Sequence, residues 1–446
     1  MEKASKFLFK GAFVLAIGAF LSKLIGAIYR IPLTNLLGSD GIGIYQMVFP
    51  VYVLLLDLSS GGVPSAISKM VAGKNGEAKT VLIESLKLFS LIGLIGMLLM
   101  LTLSRLLSLA QGNGSATFAY ITLSPSVLLV CLISCFRGYF QGNKNMTKTA
   151  VSQVIEQIIK LVLGILLIRR FVFNTALSVA LATLAVTVSE LLALIYLFIS
   201  YKKTEVKSVK NLYKKGLKKE ILKLSVPVTL TVIALPLSHL IDSFLVVNIL
   251  SKYTINATSF YGLYSGSAVT IIHLPTSLLY GLSQSVIPLI SESKSNCEKG
   301  ERVITSIKIT LILSIIMSVL IFIFSPLAVR VLFNGLSIEE KSITIKLIKI
   351  LSVNVVFISL LQTLNGILIG RGEGLKTLTG TLTGVVIKTV LSIILLNNPK
   401  FNIYGVAVSS IACYFSACLI NLLRIRNAKV KNAVKKDSYR KSNCIE

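Results

Sequence analysis

Long apolar segments separated by short polar gaps dominate the chain. Each segment holds about twenty residues or more, and a helix of that length crosses a hydrocarbon core of roughly 30 Å. The segments are continuously apolar, whereas the strands of a transmembrane barrel alternate in polarity. We therefore predict an all-α polytopic membrane protein. Its spans are placed at about 11–36, 43–68, 81–109, 116–140, 148–170, 174–200, 220–250, 259–292, 303–333, 343–369, 375–397 and 403–425.

Basic residues concentrate in alternate gaps, and two stretches are especially rich in them. The gap 201–219 contains eight lysines, and the stretch 426–446 contains seven basic residues. The positive-inside rule places these stretches and both termini in the cytoplasm of a multi-pass cell-membrane protein. We expect an N-terminal six-helix lobe at 1–200, a basic cytoplasmic linker at 201–219, a C-terminal six-helix lobe at 220–425 and a basic cytoplasmic tail at 426–446.

The two predicted lobes share sequence at fixed offsets. Five residues recur 228 positions later: Gly138, Gly142, Lys148, Thr149 and Lys160 become Gly366, Gly370, Lys376, Thr377 and Lys388. Three recur 219 positions later: Gly43, Tyr45 and Gly62 become Gly262, Tyr264 and Gly281. Because both lobes begin inside, this 6+6 duplication is parallel, with an axis along the membrane normal. Transporters use such a plan to move two lobes about a site between them.

The composition and the motif content of the chain exclude several classes of function. The net charge is +28, but the basic residues lie mainly between apolar segments, so we assign them to topology and membrane lipids rather than to nucleic acid. A Walker P-loop is missing, and two histidines and six scattered cysteines form no zinc motif. We predict a protein that is not an enzyme and that has no metal or cofactor. Membrane potential or a cation gradient would drive it.

Ionisable residues within the spans are the candidates for function, because a charge at membrane depth requires a partner or a cavity. Lys23 and Arg30 are seven residues, about two turns, apart and share a face of the first span. If that face lines the interlobe space, the two cations form a phosphate-binding stripe. The alternative is that Arg30 snorkels to the outer interface.

Three further residues are candidates for counter-charges or ion coupling. Asp57 is central in the second span, where we expect it to pair with Lys23 or Arg30; binding a cation itself is the alternative. His239 and Asp242 are three positions apart in the seventh span and can share a face. They either couple protons or cations, or form a satisfied polar pair between helices.

Four charged residues are candidates for a cavity or gate. Arg137 ends the fourth span, where it gates, anchors lipid head groups or simply follows the positive-inside rule. Glu156 and Lys160 are spaced i, i+4, which permits an ion pair. Lys388 repeats Lys160, but Gly384 stands at the position of Glu156, so we expect Lys388 to be less neutralised.

Three segments resemble a known family. These are SKLIGAIYRIPLTNLLG at 22–38, GIGIYQMVFP at 41–50 and FRGYFQGNKNMTKTAVSQVIEQ at 136–157. They are similar to the polysaccharide transporter branch of the multidrug/oligosaccharidyl-lipid/polysaccharide flippase superfamily, most of all to stage V sporulation protein B and lipid II flippase relatives. The likeness extends over most of the chain.

The resemblance implies a V-shaped, two-lobed flippase for undecaprenyl-pyrophosphate-linked sugar precursors, serving peptidoglycan or spore cortex synthesis. It also implies that Lys23 and Arg30 contact the pyrophosphate, as basic residues of the first span do in that family. Wall-synthesis enzymes are the expected partners. Many relatives have fourteen spans, the last pair forming a lipid-tail groove, and twelve are expected here. A cation-coupled multidrug exporter, an O-antigen or capsule exporter and a non-transporting scaffold for wall-synthesis enzymes remain alternatives.

Overall fold

The computed structural model describes residues 2–73, 78–170, 174–204, 216–291 and 296–442, and within these ranges the backbone is helical with short connections. The helices are α1 Glu2–Ser60, α2 Val63–Gly73, α3 Ala78–Thr102, α4 Ser104–Ala110, a 3₁₀ turn Gly114–Ala116, α5 Thr117–Gly142, α6 Met146–Arg170, α7 Thr175–Lys202, α8 Leu217–Val232, α9 Ala234–Leu250, α10 Ala257–Tyr261, a π-helix Gly262–Ala268, α11 Val269–Ser291, α12 Asn296–Leu332, α13 Ile338–Gly370, α14 Gly374–Leu396 and α15 Tyr404–Ser442.

The helix α1 contains two membrane passages. Its 59 residues would be about 88 Å long if straight, nearly three times the hydrocarbon core. The backbone is non-helical at Gly38, where φ is 69° and ψ is −177°. Glycine adopts this positive φ without the steric cost that a side chain brings. The chain therefore reverses at Gly38, in the gap predicted between the first two spans.

Three passages, the second, the seventh and the eighth, are interrupted by backbone features that leave the apolar pattern unbroken. The second passage ends α1 at Ser60 and continues as α2 after Gly61 and Gly62. The seventh consists of α8 and α9, which are bent by 59° at Ile233. The eighth combines α10, the π-helix and α11. With α3, α5, α6, α7, α12, α13, α14 and α15, the described residues give the twelve passages predicted from the sequence.

The parallel duplication appears as a pseudo-twofold contact between the second and eighth passages. A Cβ added at Gly43 would lie 2.2 Å from the carbonyl oxygen of Thr258, and one added at Gly262 would lie 2.1 Å from that of Ser39. Thr258 follows Ser39 by 219 positions, the offset that also relates the two glycines. Each lobe thus presents the same backbone surface to the other, as a twofold contact requires.

Glycines related by the offset of 228 make equivalent contacts within the two lobes. A Cβ at Gly138 would lie 2.9 Å from the carbonyl oxygen of Pro64, and one at Gly366 would lie 2.7 Å from that of Ser283. In both lobes, therefore, the fourth passage packs its glycines directly on the backbone of the second. The repeated glycines are kept free of side chains by this close approach.

The outer surface of the bundle is apolar. On α12, for example, Ile312, Ile323 and Leu327 are 59–60% exposed. Large aliphatic surfaces of this kind are unfavourable in water and are covered by lipid in a bilayer.

The helix α8 packs on the first six passages. Leu217 and Ile221 are buried in one cluster with Val63 and Tyr139, and the amide of Gly62 donates to Thr229 Oγ1 at 3.0 Å. Most of the predicted linker 201–219 lies outside the described residues, as do the side chains of the predicted tail 426–446 beyond Arg426. The domain limits proposed from the sequence remain predictions.

Candidate functional site

A cavity of about 330 Å³ lies between the lobes and brings together side chains from three helices. The first lobe contributes α1 and α6, and the second contributes the π-helix-to-α11 passage. The lining residues are Ser22, Lys23, Gly26, Ala27, Tyr29, Arg30, Tyr45, Phe49, Gln157, Lys160, Thr270, His273 and Ser277. The lysines and the arginine of the lining all belong to the first lobe.

Three basic residues, Lys23, Arg30 and Lys160, are among those that line this cavity. Lys23 places its Nζ 3.5 Å from the ring centroid of Tyr280, across the lobe boundary. Lys160 places its Nζ 6.0 Å from the ring centroid of Tyr29. Within the part of the chain that the structure describes, no carboxylate oxygen lies within 4.0 Å of Lys23, Arg30 or Lys160. The two residues singled out in the first span share the cavity, and Lys160 joins them from α6.

The cavity also contains a polar group without a protein partner. The hydroxyl of Tyr29 is buried and makes no hydrogen bond to the described residues. A buried hydroxyl normally finds a partner, because leaving it unpaired costs free energy. The hydroxyl oxygen packs on α6, where a Cβ added at Gly164 would lie 2.3 Å from it, so this group faces the neighbouring helix.

Asp57 does not provide the counter-charge that the sequence suggested. It is half-buried, and among the described residues it forms no ion pair with Lys23, Arg30 or any other cation. Measured from the reversal at Gly38, Asp57 lies 19 residues along the second passage and Arg30 only 8 along the first. Their depths differ by about 16 Å, too far for a direct contact.

Lys388 is neutralised by Asp242, contrary to the expectation from the repeat. The two side chains form an ion pair between α14 and α9 and are only 4% and 6% exposed. The ammonium also donates to Ser238 Oγ at 3.1 Å. His239 lies near this pair, within electrostatic range of Lys388 and Arg30. The sequence missed the pairing because Asp242 and Lys388 are 146 positions apart.

Arg137 and Glu156 form a partly buried ion pair inside the first lobe. Arg137 Nη2 lies 2.9 Å from Glu156 Oε2, and its Nε donates to Ser152 Oγ at 3.0 Å. The intrahelical pair that the spacing of Glu156 and Lys160 permits is not formed. Because Arg137 takes up the carboxylate, the charge of Lys160 remains available to the cavity.

Glu190 is a buried carboxylate whose role the sequence did not reveal. It is 2% exposed and accepts a hydrogen bond from the hydroxyl of Tyr52. Its second oxygen, Oε2, has no hydrogen-bond partner among the described residues. The position of this acidic residue inside a predicted span was a signal for a functional role. No sequence spacing indicated that it would contact Tyr52.

Polar contacts between the lobes cluster at the end of the bundle predicted to be external. Asn35 Nδ2 donates to the carbonyl of Leu332 at 2.8 Å, and its Oδ1 accepts from the amide of Gly335 at 3.2 Å. Ser39 donates to the carboxylate of Glu340. These contacts join the reversal between the first two passages to the α12–α13 connection, and they close this end of the interlobe space.

Membrane proteins of solved structure share this two-lobed helical fold. One is an inward-facing MATE family multidrug resistance transporter of the MOP superfamily, with a TM-score of 0.75, 19% identity and coverage of 92% of this chain and 95% of that one. Another is lipid II flippase MurJ in an inward closed conformation, with a TM-score of 0.76, 18% identity and coverage of 93% and 87%. These likenesses establish the shared fold.

The chain belongs to the polysaccharide biosynthesis protein family, whose model matches residues 8–294, well over half of the chain. Among characterised sequences it is similar to stage V sporulation protein B of Bacillus subtilis (strain 168). The two are 26% identical over 421 residues, which cover 90% of this chain and 80% of that protein.

Proposed function

We propose that this protein is a flippase. It moves an undecaprenyl-pyrophosphate-linked oligosaccharide precursor, of the kind used for peptidoglycan or spore cortex, across the cytoplasmic membrane by alternating access. The observation that carries the proposal is the interlobe cavity in which Lys23, Arg30 and Lys160 lack carboxylate partners among the described residues. Family membership and the fold shared with a lipid II flippase support it.

A pyrophosphate is the ligand chemistry that best matches these three cations. Positive charges at membrane depth are unfavourable unless a partner offsets them. A diphosphate supplies several negative oxygens within one compact group, and the guanidinium of Arg30 can hold two of them as a fork. The cavity is at the lower end of ligand-pocket volumes, so it suits the diphosphate while the glycan and the lipid tail extend beyond it.

The two-lobed architecture permits the movement that alternating access requires. Moving the lobes about the cavity exposes it alternately to the two sides of the membrane. In the state described here, the contacts of Asn35 and Ser39 with the second lobe close one end. Lys23 also touches Tyr280 across the boundary, so its environment changes when the lobes separate. Membrane potential or a cation gradient would bias this cycle.

Cation-coupled export of amphipathic drugs is the second candidate. Two observations favour it: the fold is shared with a MATE transporter, and Glu190 is a buried carboxylate with an unpaired oxygen near Lys160. If the protein exports drugs, Glu190 is essential for transport. If it is a flippase, the three cationic residues of the cavity are essential. Glu190→Gln and Arg30→Gln therefore separate the two functions.

The test uses cells depleted of their other flippases, in which an externally added degrading enzyme reports lipid II that has reached the outer leaflet. The unaltered protein is expected to make lipid II accessible. Removing one charged hydrogen bond of about 1.5–3 kcal/mol lowers substrate affinity about 10- to 150-fold, so Arg30→Gln and Lys160→Gln should be strongly impaired.

The matched control is Lys308→Gln, because Lys308 is an exposed lysine on α12 outside the cavity. It should behave as the unaltered protein. Lipid II that stays protected while the unaltered protein is present in the membrane would refute peptidoglycan flipping. Drug resistance conferred by the same protein, and lost in Glu190→Gln, would establish the second candidate instead.

A further inference from the structure

A second concave surface lies on the outside of the first lobe, away from the interlobe cavity. This lateral groove has a volume of about 530 Å³ and is formed by α3, α5 and α7. Its apolar lining consists of Leu86, Leu132, Phe136, Leu194, Ile195 and Phe198. Ile195 and Phe198 are 43% and 44% exposed, so the groove faces the surroundings of the bundle, which at this depth are lipid.

The lateral groove lies within one half of the membrane. Leu194 precedes the end of α7 at Lys202 by eight residues, or about 12 Å, and Leu132 precedes the end of α5 at Gly142 by ten, or about 15 Å. The third passage begins at the same end of the bundle, since the passages alternate in direction. A depth of about 15 Å is half of the hydrocarbon core, the depth of one leaflet.

Basic side chains border the groove: Lys202 lies at its membrane-surface end, and Lys87 lies about 14 Å along α3 with its ammonium group turned back towards that end by its contact with Glu84. Lys87 lines the groove with its side chain 60% exposed, and Lys202 places its Nζ 4.9 Å from the ring centroid of Phe198. Glu84 accepts from Lys87 at 2.8 Å and lies 3.9 Å from Lys218. Three ammonium groups and one carboxylate leave an excess of two positive charges at this end.

We propose that the lateral groove is a binding site for an anionic phospholipid. One acyl chain lies along Phe136 and Phe198, and the phosphate and anionic head group contact Lys87 and Lys202. Basic pockets between membrane helices bind anionic head groups through this combination of charge and apolar contact. A zwitterionic lipid offers the same chains but carries its own cation, so it gains less from the two lysines.

This site is separate from the candidate translocation pathway. The interlobe cavity is built from α1, α6 and α11, whereas the groove is built from α3, α5 and α7. Lipid binding at the groove is therefore independent of which substrate the protein moves.

The absence of tryptophan from the sequence allows a direct test. Phe198→Trp introduces one fluorophore into the groove and keeps an aromatic ring beneath Lys202. The protein is placed in bilayers containing brominated phosphatidylglycerol or brominated phosphatidylcholine, and quenching is measured against lipid content. Each lysine should favour phosphatidylglycerol over phosphatidylcholine about fivefold. Brominated phosphatidylglycerol should therefore reach the same degree of quenching at a membrane content roughly five- to twenty-five-fold lower than brominated phosphatidylcholine. Adding Lys87→Gln and Lys202→Gln should abolish this preference.

The control is Phe415→Trp, since Phe415 is 49% exposed on α15 and lies outside the groove. It should be quenched equally by the two lipids. Equal quenching at position 198, or a preference that survives both lysine substitutions, overturns the proposal. Should the double lysine variant fail to fold, salt provides the second measurement. The preference at position 198 must then fall as ionic strength rises, and a salt-independent preference also overturns the proposal.

Discussion

Lys388 is predicted to stabilise the second lobe rather than to bind substrate. It pairs with Asp242 between α14 and α9, and both side chains are almost fully buried. Lys388→Met removes the ammonium and leaves the carboxylate alone in a site of low dielectric constant. Asp242→Asn leaves the opposite charge alone.

The expected cost follows from that geometry. Breaking a buried ion pair by removing one partner destabilises a protein by about 3–5 kcal/mol, because the remaining charge is uncompensated. Removing both charges avoids this penalty. We therefore expect each single variant to lose about 3 kcal/mol of unfolding free energy, and the double variant to lose at least about 2 kcal/mol less than the sum of the two.

The assay is equilibrium unfolding of the purified protein in a denaturing-detergent titration, applied to the unaltered protein, both single variants and the double variant. The structural reasoning is refuted if each single variant costs under about 1 kcal/mol, or if the two losses simply add.

Lys160 provides the internal comparison, because it is the repeat counterpart of Lys388 and has no carboxylate within ion-pairing distance in the described structure. Lys160→Met should leave the unfolding free energy within about 0.5 kcal/mol of the unaltered value or raise it, since it removes an uncompensated charge. Equal destabilisation by Lys160→Met and Lys388→Met would contradict the division of roles between them.

Three further predictions concern packing and closure. Gly138→Ala should cost about 1–3 kcal/mol in the same unfolding titration, because its Cβ would meet backbone, whereas Gly73→Ala, with open space around the added Cβ, should not. Tyr52→Phe should cost about 1–3 kcal/mol by removing the hydrogen bond to buried Glu190. Asn35→Ala should increase the labelling of cysteines introduced into the interlobe space from the predicted external face, measured in a cysteine-free background; unchanged labelling would contradict the closing role of the Asn35 contacts.

Much of the fold follows from the sequence because apolar length and repetition are read directly from the chain. The twelve passages correspond to the apolar segments, and the offsets of 219 and 228 reappear as equivalent glycine contacts, such as those of Gly43 with Thr258 and Gly138 with Pro64. The positions of the helix bends could not be predicted from the hydropathy pattern. The break at Gly61 and the turn at Ile233 leave the apolar pattern uninterrupted, so hydropathy alone predicts continuous spans.

The candidate site was only partly predictable, because pairing between distant helices leaves no local pattern. Lys23 and Arg30 could be recognised as neighbours on one helix face because they are seven residues apart in the sequence. Glu156 has a potential partner one turn away in Lys160, yet it pairs with Arg137 on the neighbouring helix. Asp242 was recognised as a buried acid, but its partner is 146 positions further along the chain.

The central claim is that the cavity cations carry a lipid-linked diphosphate across the membrane. Its most direct test is the movement of lipid II by the purified protein in liposomes, comparing the unaltered protein with Arg30→Gln, Lys160→Gln and Lys308→Gln. We predict movement by the unaltered protein and by Lys308→Gln, and loss of most of it in the two cavity variants. Undiminished movement by Arg30→Gln and by Lys160→Gln would contradict the account.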